Sequence, residues 1–219
     1  MQMDGEQLLK CDLFGEVLLR HGDDGPEIVR NAAAARWWVR WLARRLLRRE
    51  AEALAALDGM DGVPQLLRHE RDTLVRSYLA GEPLHKAGPV DAAWFSDAAR
   101  LLRRLHRSDV CHNDLAKEPN LLVLNDGSPA LIDFQLAWRS PARGRLFRVA
   151  AREDIRHLLK HKRTYCAAHL TTREKDILAN PAPISRAWMG ITKPIYLFVT
   201  RRLLGWADRE GASDRGARK

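Results

Sequence analysis

The run 120–133, Asn-Leu-Leu-Val-Leu-Asn-Asp-Gly-Ser-Pro-Ala-Leu-Ile-Asp, constrains this chain more than any other stretch. Two short apolar segments, 121–124 and 130–132, flank Asn125-Asp126-Gly127-Ser128, and Asp-Gly is among the strongest short hairpin signals. With Asp126-Gly127 as a two-residue turn, Val123 pairs with Ala130, Leu121 with Ile132, and Asn120 with Asp133. Directly opposed residues carry Cβ atoms about 4.5–5.5 Å apart. An amide oxygen and a carboxylate so placed can share a hard cation such as Mg²⁺. Asp114 enters the same open end from the loop His112-Asn113-Asp114-Leu115. Phosphoryl transfer needs metal-bridged phosphate oxygens and a carboxylate that accepts a hydroxyl proton. Taken alone, such an Asn/Asp pair reads as a loop cap and a strand-end acid. Three polar groups on one side of so apolar a hairpin are hard to explain by folding needs.

Upstream, residues 8–30 read as two strands, 14–20 and 27–30, around the turn His21-Gly22-Asp23-Asp24-Gly25-Pro26. From 33 to 57 the period changes: Trp38, Leu42, Leu46, Ala53, Leu54 and Leu57 define a helical stripe, with five arginines mostly off it and Gly59 ending it. Glu50 lies on that stripe, between Leu46 and Leu54. A carboxylate facing a core needs a cation. Arg30, ending the preceding strand, is the candidate; the alternative is a local pair with Arg49 or a neighbouring helical Arg. There follow a third strand over 74–79, a break at Ala80-Gly81-Glu82-Pro83, a helix over 91–108 and a loop over 110–120. Beyond Arg139 the chain is basic and helical, most clearly over 153–162, and a last helix is expected over 195–206. Strands precede and interrupt helices without internal repeats, so the class is α+β.

At 219 residues, 46% apolar and 30% charged, the chain suits one compact domain with a small appended lobe, rather than a disordered, collagen-like or disulfide-stapled chain. Its net charge of +9 comes from arginine far more than lysine. Anionic partners are favoured, although a basic balance alone does not choose among nucleotide, nucleic acid, anionic membrane and phospho-substrate. Cys11, Cys111 and Cys166 are odd in number, far apart and without a C-x-x-C pairing, which fits a reduced cytosol. Acids stand at the N-terminus where a signal peptide carries basic residues, and no uncharged apolar window approaches the roughly 18 residues of a spanning helix. A cytoplasmic location is expected, with peripheral attachment at the inner face of the membrane as its variant.

These residues, in this order, resemble the protein-kinase-like superfamily, most closely its small bacterial branch near RIO kinases and lipopolysaccharide-core (Kdo-type) sugar kinases. The pairing of His112-x-Asp114 with Ile132-Asp133-Phe134 carries the resemblance, which spans residues 10–165. It implies a minimal bilobal fold: a kinase-like N-lobe over 1–79, a C-lobe with catalytic loop and metal-binding hairpin over 80–165, and a helical extension over 166–219. By the same resemblance, Arg30 stands where a lysine contacts the α/β-phosphates and Glu50 pairs with it. Ser77, Tyr78 and Leu79 form the adenine-binding hinge. Asp114 looks like the catalytic base, and Asn120 and Asp133 like the metal ligands. ATP and Mg²⁺ are the implied cofactors, and a hydroxyl of a protein Ser/Thr or of a lipid-linked sugar is the implied acceptor.

Several residues depart from the pattern. Arg30 replaces the lysine, Gln135 the glycine of protein kinases, and six positions rather than the usual five separate Asp114 from Asn120. Lys117 then takes the γ-phosphate contact that otherwise falls two residues after the base. No G-x-G-x-x-G precedes the second strand, Gly15 alone is poor support for a phosphate flap, and no Ala-Pro-Glu follows Phe134. Two rivals to an active kinase therefore stand: a pseudokinase that binds nucleotide or scaffolds without transfer, and a basic adaptor for RNA or anionic membrane. Nucleic acid is the less expected partner.

Other features read more plainly. His112 is expected to pack beneath Phe134, and Cys111 to be a small buried residue. Trp37, Trp38 and Trp41, interleaved with arginines, read first as a helix start packed on the small lobe and second as a membrane-surface face. Lys160-His161-Lys162-Arg163 reads as a solvated helix end, with steering of an acidic partner as the alternative.

Overall fold

Two runs dense in aliphatic and β-branched residues, Val17-Leu18-Leu19 and Ile28-Val29, nucleate the N-terminal half. The structure, a computed structural model, describes residues 6–22 and 25–180. Five antiparallel strands, β1 (Glu6–Asp12), β2 (Gly15–Gly22), β3 (Gly25–Asn31), β4 (Leu66–His69) and β5 (Thr73–Ser77), form one sheet in the order β1-β2-β3-β5-β4. The inner strands supply its buried residues: Ile28, Val29, Leu74 and Val75. The flanking strands β1 and β4 were not expected, because neither alternates in polarity. Leu8 and Leu9 of β1 are half-exposed, and the ladder to β2 rather than burial holds that strand. Gly15 belongs to the β1–β2 turn: at φ +122°, a Cβ there would lie 2.1 Å from the Asn31 carbonyl oxygen. Its role is this close approach.

Helix α1 (Arg40–Ala56) starts later than the sequence period suggests. Residues 32–34 form a separate 3₁₀ turn, where the Asn31 side chain accepts from Ala33 N at 3.0 Å. The buried face is also rotated. It consists of Ala43, Leu47, Glu50, Ala51, Ala53 and Leu54, whereas Leu42 and Leu46 are half-buried and Trp38 is exposed. Ala32, Ala35, Ala43 and Ala51 cluster with Leu47 and Leu74. Small side chains let the helix lie close to the sheet, and the larger Leu42, Leu46 and Trp38 turn aside.

The C-terminal half is mainly helical. Strands β6 (Gly81–Pro83), β7 (Val110–Cys111), β8 (Leu121–Leu124), β9 (Pro129–Leu131) and β10 (Trp138–Arg139) join α2 (Ala92–Arg107), α3 (Arg145–Tyr165) and α4 (Thr172–Ala179). The expected break at 80–83 contains β6, which pairs with β8. Asp91 caps α2 by accepting from Trp94 N at 2.8 Å, and Trp94, Phe95, Ala98, Leu101, Leu102 and Leu105 form its buried face. One core runs from Leu54 and Leu57 of α1 through Met60 and Val63 into α2, β8 and Phe134, so the two halves share a continuous interior. The helix expected over 195–206 lies outside the described residues, as do Asp23 and Asp24 of the first turn.

The β8–β9 hairpin is confirmed, but one residue out of the expected register: Leu121 faces Leu131, Leu122 faces Ala130 and Val123 faces Pro129. Leu124 O accepts from Gly127 N at 2.8 Å, and Leu124 N donates to Ser128 O at 2.9 Å. The loop is thus three residues long, with Gly127 at φ +81°, the common turn-plus-bulge alternative to a two-residue turn. Asn120 consequently faces Ile132, whose N–H donates to Asn120 O at 3.0 Å. Asp133 stands just past the ladder.

The rotated stripe gives an expected outcome. Leu47→Ala, at a site 3% exposed, lowers stability by about 2–4 kcal/mol; Leu46→Ala costs less than half as much. Urea unfolding of the two variants checks the order.

Candidate active site

Glu50 is fully buried, and its two oxygens face two guanidinium groups. Arg30 Nη1 donates to Glu50 Oε2 at 2.6 Å, and Arg76 Nε lies 3.4 Å from Oε1. The Arg30 pairing is the one anticipated from the helical stripe; Arg76, in β5, was missed. An arginine in a strand gives no signal that it points inward. Arg30 Nη1 also donates to Asp133 Oδ1 at 3.1 Å. With its amide oxygen turned to Arg30, Gln135 accepts from Nη1 and Nη2 at 3.1 Å each. Arg30 and Gln135, the two side chains in which the sequence departs from the pattern it resembles, thus meet. Burial opposes the charge of Arg30, yet Glu50 and Asp133 raise its pKa above the ordinary value. Burial lowers that of Arg76, with Glu50 opposing and Arg30 adding to the shift.

Asp133 leaves the hairpin in a left-handed backbone conformation, φ +65° and ψ +70°. Such non-glycine positions concentrate at functional sites. Burial pushes its carboxyl pKa up, but the charge and hydrogen bond of Arg30, with Lys117 and His112 behind, bring it below the usual carboxylate range. Asp133 therefore stays ionised.

The second cluster lies in the loop before β8. Asn120 Nδ2 donates to Asp114 O at 2.9 Å and to Asp114 Oδ2 at 3.0 Å, and Lys117 Nζ lies 3.0 Å from the same Oδ2. Of the six positions from Asp114 to Asn120, the last three, Glu118–Asn120, form a 3₁₀ turn with a proline inside it. Because Asn120 donates through nitrogen, Oδ1 is the atom it can offer a cation. Burial raises the Asp114 pKa above the usual value; Lys117 pulls against this and the Asp133 charge adds to it. The Ile132–Asn120 backbone bond sets Asn120 beside the residue that precedes Asp133, and the Asp133 charge acts on Asp114. Hard oxygen donors, one carboxylate held ionised, fit Mg²⁺.

Buried braces hold this loop. His112 is fully buried, its Nε2 2.9 Å from Ile132 O and its ring 4.7 Å from that of Phe134. Asp154 of α3 accepts from His112 N and Asn113 N, both at 2.8 Å, and lies 3.2 Å from His106 Nε2. His106, Cys111 and Asp154 could surround an ion. In the structure these side chains brace the loop: both Asp154 oxygens accept backbone N–H groups, and burial pushes the Cys111 thiol pKa up. The run 160–163 is not simply a solvated face: His161 Nε2 is 2.8 Å from Leu115 O, and Lys162 Nζ meets both Glu174 oxygens at 2.7 and 2.8 Å. Asp154 and His161 escaped sequence reading because one acid and one histidine in a charged helix have no special spacing.

Ser77, Tyr78 and Leu79 connect the sheet to the helical half. Ser77 N donates to Gln65 O at 2.9 Å and Tyr78 N to Pro26 O at 3.1 Å. The N–H of Leu79 makes no hydrogen bond among the described residues, and so it alone of the three remains to offer a ligand.

No family model matches the sequence, and no curated protein does. Among solved structures, the Rio2 kinase from Chaetomium thermophilum is similar to this chain, with a TM-score of 0.58 and 15% identity over 82% of this chain. The chain spans 61% of the length of that kinase. The fold is accordingly protein-kinase-like and bilobal, with a β-rich N-terminal part and a helical C-terminal part.

Removing the shared carboxylate leaves the buried Arg76 guanidinium without its acid, while Arg30 keeps Asp133 and Gln135. Glu50→Ala lowers unfolding free energy by about 3–5 kcal/mol, and adding Arg76→Met restores part of it. Chemical denaturation of the single and double variants measures both effects.

Proposed function

We propose that the protein is an ATP-dependent phosphotransferase that moves the γ-phosphoryl group to a hydroxyl, on a protein Ser/Thr or a lipid-linked sugar. The observation that carries this reading is the joining of two clusters: Arg30–Glu50–Asp133 on one side, Asp114–Lys117–Asn120 on the other. Leu79 N–H is offered to the nucleobase, and Arg30 to the nucleotide phosphates. Asn120 Oδ1 and the Asp133 carboxylate would hold Mg²⁺, which would supply positive charge against the phosphate oxygens. Asp114 orients the acceptor hydroxyl and takes its proton, a task suited to a carboxylate made more basic by burial. Lys117 balances charge beside it. The lobe division near residues 79 and 80 belongs to the same reading, with the hinge at the join. The lack of an Ala-Pro-Glu segment favours the sugar acceptor, and the resemblance to RIO kinases permits the protein one.

One observation favours the pseudokinase reading: Arg30 Nη1 occupies Asp133 Oδ1 at 3.1 Å, an oxygen a cation would use. Titrating ATP with and without Mg²⁺, then following transfer of labelled phosphate in a membrane-containing lysate, separates the two. An active enzyme requires that Asp133→Asn abolish the Mg²⁺ dependence of ATP binding and that Asp114→Asn lower turnover about 10²–10⁴-fold. Binding without transfer, in the unaltered chain and in Arg30→Lys alike, establishes the pseudokinase.

The pH profile tests Lys117. Its charge lowers the Asp114 pKa, so Lys117→Met lets that pKa rise further. The acid limb of kcat/KM, below which Asp114 is protonated and idle, moves to higher pH. An unmoved limb removes Lys117 from the base's surroundings.

A further inference from the structure

The approach to α1 gathers three indoles and several arginines that the candidate site does not use. Trp37 is 83% exposed, Trp41 66% and Trp38 40%: the segment packs on the small lobe through Ala32, Ala35 and Val39, and its indoles are left outside. A lone exposed indole is ordinary, but three within five positions form an apolar patch that calls for a partner. Exposed Ala33 and Ala34 extend it. No acidic residue occurs between Asn31 and Arg49. Arg40, Arg44 and Arg49 donate to Ala35 O, Asp72 and Ala137 O, and Arg48 pairs with Glu52. Arg36 and Arg45 are exposed and form no ion pair among the described residues. The first turn of α1 holds neither an acid nor a side-chain cap, so the positive end of the helix dipole adds to the field.

Charge decides what covers the patch. A second copy carries the same net +9, and residues 181–219 contain eight basic and three acidic residues; both are repelled. An anionic partner remains. Binding of single-stranded nucleic acid uses a groove that tracks the backbone, with aromatic faces along it. Indoles that project beside arginines at a helix start match instead the boundary of headgroups and acyl chains.

We propose that the shoulder over residues 33–45 docks on an anionic membrane surface, with Trp37 and Trp41 at headgroup depth and Arg36 and Arg45 on lipid phosphates. This docking is independent of phosphoryl transfer. A second basic patch, Arg100, Arg103, Arg104 and Arg107 on α2, has no aromatic residue and serves as a control for charge alone.

The test is co-sedimentation of the full chain with phosphatidylcholine vesicles containing about one third phosphatidylglycerol. The unaltered chain pellets with these and not with pure phosphatidylcholine. Trp37→Ser with Trp41→Ser weakens binding at least about tenfold, and Arg36→Gln and Arg45→Gln each about fivefold. Arg103→Gln with Arg107→Gln changes it less than about twofold. All these side chains are exposed, and circular dichroism melting checks that each variant folds. The proposal is overturned if the chain ignores anionic vesicles, if the tryptophan pair variant binds as the unaltered chain does, or if the α2 variant loses as much. Release from vesicles by an equal phosphate concentration of single-stranded RNA overturns it too, and marks the surface as a nucleic-acid site.

Discussion

A carboxylate with no access to water sits at the meeting point of both halves, and the arrangement around it follows from the need to compensate its charge. Glu50 lies on the inner face of α1, where an uncompensated charge would cost several kcal/mol. Arg30 from β3 and Arg76 from β5 answer it from the sheet. Arg30 then reaches Asp133, which begins the segment after the second hairpin. One buried charge thereby fixes the position of the helix against the sheet, and of the sheet against the loop that bears the site.

The two substitutions that depart from the protein-kinase pattern are linked. A lysine has one compact ammonium group, whereas a guanidinium presents five N–H donors in a plane. Glu50 and Asp133 do not exhaust that fork. Gln135, where protein kinases have glycine, supplies a further acceptor. Arg30 and Gln135 therefore form one unit with Glu50 and Asp133 rather than two separate oddities of the sequence.

The parts legible in the sequence were those in which chemistry and periodicity coincide. The apolar hairpin, Glu50 on a helical stripe, and the polar trio Asp114, Asn120 and Asp133 all stand out against an apolar background. The hairpin register was misjudged because Asp-Gly serves both two-residue and three-residue loops, and only the backbone bonds of Leu124 distinguish them. The stripe on α1 was rotated because alanines, weak in any hydrophobic count, occupy the closest contacts with the sheet. Edge strands β1 and β4 were missed because their order comes from neighbours. Asp154, His161 and Arg76 are single polar residues whose importance lies in who lies opposite, something no local pattern encodes.

Helix α1 is tied in two directions by Arg44 and Arg49. Arg44 grips Asp72 in the β4–β5 turn at 2.6 and 3.1 Å, while Arg49 donates to the carbonyls of Ala137 and Leu136 at 3.2 and 3.4 Å. The sheet holds α1 through Arg44 as well as through Glu50, and Arg49 ties the same helix to the segment that follows Asp133, so, among the described residues, α1 is the one element bonded by side chains both to the sheet and to the loop that bears the site.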